Sequence, residues 1–181
     1  MTIAIDTVDL GGDVHLLVGA EGSQVRLKVS SVLLSLVSPY FSTLFGPRFK
    51  EGEESSAGKD IELKDDDAGA FTLLCKILHM RYAMPTSALS ADELLSFAVV
   101  VDKYDCTRSV ALTLLSLFPL PIPQSTDFIE ACKLASAAYL LDHPQLFQRT
   151  TEHLLIHSAH DFVHFAVLPQ GQHVPGIAWG R

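Results

Sequence analysis

The sequence predicts an α+β fold: a three-stranded sheet capped by a helical cluster, with a C-terminal helical extension. Apolar and polar residues alternate within 14–18, 25–29 and 61–63. A period of two is typical of strands with one buried face. After residue 64 the apolar residues recur at helical spacing. Strands followed only by helices indicate a sheet layer and a helical layer rather than alternating βαβ units.

The elements of the N-terminal half follow from local signals. Gly19 and Gly22 suit a hairpin loop between the first two predicted strands. Residues 31–49 predict two short helices, the second with Ser38 as its cap and Pro39 at its first position. Either Asp66 or Asp67 is expected to cap the helix that follows the third strand.

The C-terminal half reads as helices throughout. Ser90 and Glu93 have the spacing of a capping box, which predicts a helix start. Further helices are predicted over 107–118, 125–141 and 144–157. The expected organisation is an N-terminal arm at 1–12, a domain at 13–118, a proline-rich connector at 119–124, a helical extension at 125–168 and an irregular tail at 169–181.

Composition narrows the function class. The 181-residue chain is 48% apolar and 19% charged, which suits a packed core. Its formal net charge is -8 with no run of Lys or Arg, so nucleic acid is not an expected partner. Cys75, Cys106 and Cys132 lie far apart in helical patterns, which favours buried thiols over disulfides.

Targeting signals are not expected either. Asp6 and Asp9 interrupt the apolar residues of an N-terminus that lacks a basic start, which does not suit a signal peptide. The uncharged stretch 109–118 is shorter than the ~20 residues that a membrane span needs. We predict an intracellular protein, cytoplasmic or nuclear, without a membrane partner.

The sequence contains neither of two common catalytic or metal-binding motifs. There is no Gly-x-Ser-x-Gly nucleophile turn and no Cys-x-x-Cys pair. We therefore predict a non-catalytic protein without a cofactor or metal.

Four histidines leave one alternative open. His153, His157, His160 and His164 are spaced four, three and four residues apart, so an unbroken helix places all of them on one face. A histidine pair at i and i+4 can hold zinc or nickel. Because Ser158 is expected to mark a helix break, surface or structural histidines are favoured over a metal-dependent enzyme.

An ordered set of segments resembles a known family. The segments are Asp13-Val14-His15-Leu16-Leu17-Val18-Gly19, Ser38-Pro39-Tyr40-Phe41-Ser42-Thr43-Leu44-Phe45, Ile61-Glu62-Leu63 and Asp102-Lys103-Tyr104-Asp105-Cys106. In this order, over about residues 13–157, they resemble BTB/POZ domains. Val29-Ser30-Ser31, Ile77-Leu78-His79, residues 102–106 and residues 138–147 resemble the fungal branch in particular.

The resemblance implies a protein-interaction module that self-associates. Members that regulate transcription pair an Asp with a basic residue at their dimer interface; Asp13 matches the acid, but Ser31 stands at the basic position. The implied homodimer interface comprises Asp13, Ser31, Val32, Leu33, Leu36 and Val37. Some members also exchange an N-terminal strand, for which residues 2–8 are available.

The resemblance implies a second function as well. Members that load substrates onto cullin ubiquitin ligases carry a hydrophobic-x-Glu motif, which Phe49-Lys50-Glu51 matches. Phe49 and Glu51 are therefore candidate cullin contacts, with a cullin scaffold or another BTB protein as partner. The competing interpretation is that Phe49 belongs to the core and Glu51 is solvated.

Overall fold

The computed structural model describes residues 5–46, 60–82 and 88–157. The strands are β1 (Ile5–Thr7), β2 (Val14–Val18), β3 (Val25–Val29) and β4 (Ile61–Leu63). The helices are α1 (Ser31–Val37), α2 (Pro39–Leu44), α3 (Ala68–Leu78), α4 (Ala91–Lys103), α5 (Thr107–Val110), α6 (Leu114–Leu117), α7 (Phe128–Leu140) and α8 (Pro144–His157). The α+β prediction is confirmed.

The described sheet has four strands in the order β1-β3-β2-β4, one more than predicted. β2 and β3 form the predicted hairpin, in which Leu16 lies opposite Leu27. The additional strand comes from the N-terminal arm, where Ile5 of β1 pairs in parallel with Arg26 of β3. Only Ile5 of its three residues is apolar, so no alternation of apolar residues marked β1 as a strand of the sheet.

The chain divides into two compact units. The first comprises residues 1–83 and 100–110 and contains the sheet, α1 to α3 and α5; the second comprises residues 84–99 and 111–181 and contains α6 to α8. The division of the chain into an arm, domain, connector, extension and tail stays a prediction.

Aromatic side chains form the centre of the first unit. Tyr104 is fully buried, and its ring stacks on Phe41 at a centroid distance of 4.9 Å. Phe71 meets the same tyrosine ring edge-on at 5.1 Å. Helix α3 packs on β3, α1 and α5, which gives the sheet its helical cap.

The second unit is centred on the helical hairpin of α7 and α8. Ala131, Cys132, Ala135 and Leu154 form its buried cluster. A capping box between Asp127 and Glu130 starts α7 at Phe128, three residues later than the predicted helix.

The predicted helix over 107–118 is wrong in one respect: it forms two short helices, α5 and α6. Ser116 donates both its backbone N–H and its hydroxyl to the Thr113 carbonyl, at 3.0 and 2.6 Å. This i to i+3 pattern lies in the first turn of α6, directly after the break at 111–113. Farther along, the connector contains a cis peptide bond between Leu120 and Pro121.

Candidate docking face on helix α1

Helix α1 exposes two of its five apolar residues to solvent. Leu34 is fully buried, whereas Val32 is 66% exposed and Leu36 is 82% exposed. Leu33 and Val37 are half-buried. Because positions four apart lie on the same side of a helix, Val32 and Leu36 form one exposed apolar surface. We call Val32 and Leu36, with the adjoining sides of Leu33 and Val37, the α1 face.

The start of α1 is fixed by side chains. The Ser30 hydroxyl accepts a hydrogen bond from the Leu33 N–H at 3.3 Å and so acts as the N-cap. The Asp13 carboxylate accepts from the Ser31 N–H at 2.7 Å and from the Ser31 hydroxyl at 2.5 Å. These bonds satisfy backbone donors that a helix start otherwise leaves to water.

The Asp13 contact also affects proton binding. Partial burial raises the pKa of the Asp13 carboxyl, but the hydrogen bonds from Ser31 outweigh burial, and the pKa lies below its ordinary value. A carboxylate stabilised by donors stays ionised at neutral pH. Asp13 and Ser31 are therefore brought together as a hydrogen-bonded pair within one chain.

The C-terminal end of α1 is also fixed by hydrogen bonds. The Ser38 N–H donates to the Leu34 carbonyl at 3.1 Å, and the Ser38 hydroxyl donates to the Tyr104 carbonyl at 2.6 Å. Ser109 donates its hydroxyl to the Val37 carbonyl at 3.1 Å. As predicted, Ser38 caps α2 and Pro39 occupies the first position of α2.

His79 makes a contact with α1 that the sequence did not predict. Its ring is 7% exposed and lies just beyond the end of α3. Nε2 accepts the Ser30 N–H at 3.1 Å, and Nδ1 lies 2.8 Å from the Cys75 carbonyl oxygen. The only sequence signal is a polar residue at the end of an apolar helical stretch, which does not identify a partner 49 positions away.

Asp66 is a second group whose role was missed. Asp67 caps α3, which decides between the two predicted candidates. The Asp66 side chain is 4% exposed and accepts from Lys103 Nζ at 2.8 Å and from the Tyr104 hydroxyl at 2.7 Å. Burial, together with the Asp66 hydrogen bond, raises the pKa of Tyr104 far above its ordinary value. This group ties the start of α3 to the end of α4.

The other candidate residues are only partly described. Phe49 and Glu51 lie outside the described residues, as do His160 and His164. His153 is buried on α8. Within residues 5–46, 60–82 and 88–157, no three His, Cys, Asp or Glu side chains are grouped so as to hold a metal ion. In the same ranges, no helix is long and apolar enough to cross a membrane.

Comparison with known proteins places these features in a family context. The family model described as the BTB/POZ domain matches residues 10–114. BTB/POZ domain-containing protein 6-A of Danio rerio is 26% identical over 140 residues, which are 77% of this chain and 23% of the relative. The chain thus spans about a quarter of that relative's length.

Proposed function

We propose that this chain, which belongs to the BTB/POZ family, docks proteins without catalysis and pairs with a second copy of itself through the α1 face. The BTB/POZ domain is a protein-interaction module, so docking follows from membership. The observation that supports self-pairing is the exposure of Val32 and Leu36 on a helix whose two ends are hydrogen-bonded to the rest of the unit.

Rigidity matters for this proposal. A surface that is already ordered loses little conformational entropy when a partner covers it, so more of the apolar burial contributes to affinity. The contacts of Asp13 and Ser30 at one end, and of Ser38 and Ser109 at the other, hold α1 in this ordered state.

Charge favours a second copy as the partner. Residues 31–37 carry no charged side chain. Two such helices can therefore face each other across a two-fold axis without like-charge repulsion, and the same apolar surface covers itself. Asp13, at the edge of the surface, is already satisfied by Ser31.

Two differently tagged copies of the chain test self-pairing. The wild-type copies should co-purify, and Leu36→Asp in both should abolish this, because a charge then replaces an apolar contact. Leu155→Asp is the matched control, since Leu155 is 77% exposed on α8. Equal loss with both variants, or no loss with Leu36→Asp, contradicts an interface on α1.

A substrate adaptor for a cullin ubiquitin ligase is the second candidate function. It rests on the family and on the Phe49-Lys50-Glu51 motif. If Phe49 anchors a cullin, Phe49→Ala should abolish cullin pull-down and leave the melting temperature unchanged. If Phe49 is a core residue, the same change should cost ~3–5 kcal/mol of stability. Glu51→Ala removes a carboxylate and no core volume. It should reduce cullin pull-down if the motif contacts a cullin, and it should leave stability unchanged in either case.

The metal-dependent enzyme remains the least supported alternative. Elemental analysis of the purified chain should find no stoichiometric zinc or nickel. A whole equivalent of metal that is lost in His153→Ala/His157→Ala would revive the histidine site.

Three narrower assignments are also proposals. Membership of the fungal branch rests on the resemblance of four segments, residues 29–31, 77–79, 102–106 and 138–147. Exchange of residues 2–8 between two copies competes with the pairing of β1 and β3 within one chain. We also propose a cytoplasmic or nuclear location.

A further inference from the structure

We infer that His79 is a proton-sensitive anchor: its neutral ring holds the start of α1, and protonation releases it. The inference about the anchor stands on the geometry of the first unit. Its consequence for docking rests on the function proposed for the α1 face.

The hydrogen bonds define the protonation state of the ring. A backbone N–H can only donate, so the His79 Nε2 that receives the Ser30 N–H at 3.1 Å must carry a lone pair. Nδ1, 2.8 Å from the Cys75 carbonyl oxygen, must then carry the proton and donate it. Both nitrogens are occupied in a ring that is 7% exposed, and the folded state selects the neutral Nδ1–H tautomer.

Protonation places two donors against each other. A proton on Nε2 faces the Ser30 N–H, and the hydrogen bond between them is lost. Ser30 is the N-cap of α1, so its displacement also affects the Leu33 N–H that its hydroxyl accepts. The neighbouring Ser31 bonds to Asp13 are the remaining attachment at this end of the helix.

The carboxylate at this end of α1 belongs to Asp13, and it already accepts from the Ser31 N–H and the Ser31 hydroxyl. The elements that pack on α3 include α1, α2, β3 and α5; α1 has no titratable side chain, and the only one on α2 is the Tyr40 hydroxyl. On α3 itself, burial raises the pKa of the Cys75 thiol far above its ordinary value, so that thiol stays neutral. The remaining charged groups are engaged elsewhere or exposed: Arg26 with Asp60, Lys28 with the Leu10 carbonyl, Lys76 with Asp6, and Arg108 in solvent.

The sign and size of the effect follow from linkage. An opened chain binds a proton on its imidazole near pH 6.5, whereas the anchored ring cannot bind one without losing its contact. Acid therefore favours opening, and stability is lost as the pH falls. A free imidazole takes up its proton between about pH 7.5 and about pH 5.5, so the opening equilibrium constant of this region rises over that range, by at most about tenfold from one residue.

Amide hydrogen exchange of α1 in the full chain tests the anchor. Protection factors, which divide out the intrinsic pH dependence of exchange, should fall by up to about tenfold over this pH range for residues 30–34 in the wild type. In His79→Gln the side-chain amide oxygen can accept the Ser30 N–H but does not titrate, so the additional fall should vanish. His79→Phe lacks the acceptor and should show low protection at both pH values.

Two controls keep the test decisive. His15→Gln changes a half-buried histidine on β2 whose side chain makes no hydrogen bond within the described residues, and it should behave like the wild type. Nitrogen-15 spectra of the wild type should show the Nδ1–H tautomer of His79 at neutral pH, which does not depend on any variant folding. A protonated His79 in the folded chain with unchanged α1 protection overturns the inference, as does equal acid sensitivity in wild type and His79→Gln.

The docking consequence is measured separately on the same samples. Self-association should weaken in acid in the wild type and not in His79→Gln. If acid loosens α1 but the molecular mass does not change, the anchor stands and the function proposed for the α1 face fails.

Discussion

The buried hydroxyl of Tyr104 offers a direct energetic test of the first unit. Tyr104→Phe removes one oxygen atom and leaves the ring in place, so the stacking on Phe41 and the buried volume are retained. What is lost is a 2.7 Å hydrogen bond to Asp66, whose side chain is 4% exposed. A hydrogen bond to a charged group contributes ~1.5–3 kcal/mol, because the carboxylate left behind cannot recover a water molecule.

The expected loss of unfolding free energy in Tyr104→Phe is near the middle of that range. Lys103 still donates to the other Asp66 oxygen, which argues against the upper limit. Burial of the acceptor argues against the lower limit. A loss of ~2 kcal/mol corresponds to a fall in melting temperature of ~4–8 °C for a chain of this size.

Urea denaturation and thermal melting of the purified chain measure this loss. Tyr139→Phe is the matched control, because Tyr139 is 51% exposed and should change stability by less than ~0.5 kcal/mol. A double-mutant cycle with Asp66→Asn isolates the pair from other effects. A loss below ~0.5 kcal/mol in Tyr104→Phe, or no coupling in the cycle, refutes the bond's contribution.

The other predictions concern backbone strain, thiols and charge. Met80 has a positive φ of 55° and is 93% exposed, so Met80→Gly should raise stability by ~0.5–1 kcal/mol, and a loss in urea denaturation would contradict the strain. Burial raises the pKa of Cys106 to about 11 and of Cys132 to about 12, so alkylation near pH 8 should be slow until the chain unfolds, and rapid labelling of the native protein would show accessible thiols. The net charge of -8 predicts no gel shift with DNA or RNA at physiological salt, and a salt-sensitive shift would refute this.

Local signals predicted the elements whose ends are defined by nearby residues. Ser38, Pro39 and the Ser90–Glu93 capping box act within one helical turn, and each has its predicted role. The alternation of Val14, Leu16 and Val18 reappears as a strand whose alternate residues are buried.

Contacts between distant residues were not predictable in the same way. Asp66 and Asp67 are equally good caps by sequence, and only the approach of Tyr104 and Lys103 distinguishes them. His79 contacts Ser30 from 49 positions away, so no local pattern reveals it. The family resemblance identified the α1 face, but the exposure of Val32 and Leu36 could be read only from the folded chain.

The central claim is that the α1 face pairs two copies of this chain, and multi-angle light scattering over a concentration series tests it most directly. At micromolar concentration the wild type should show twice the 19.7 kDa mass of one chain, and Leu36→Asp should show the mass of one. A wild-type mass that stays at 19.7 kDa up to about 100 μM contradicts the claim. A dimer that survives in Leu36→Asp would place the interface elsewhere on the chain.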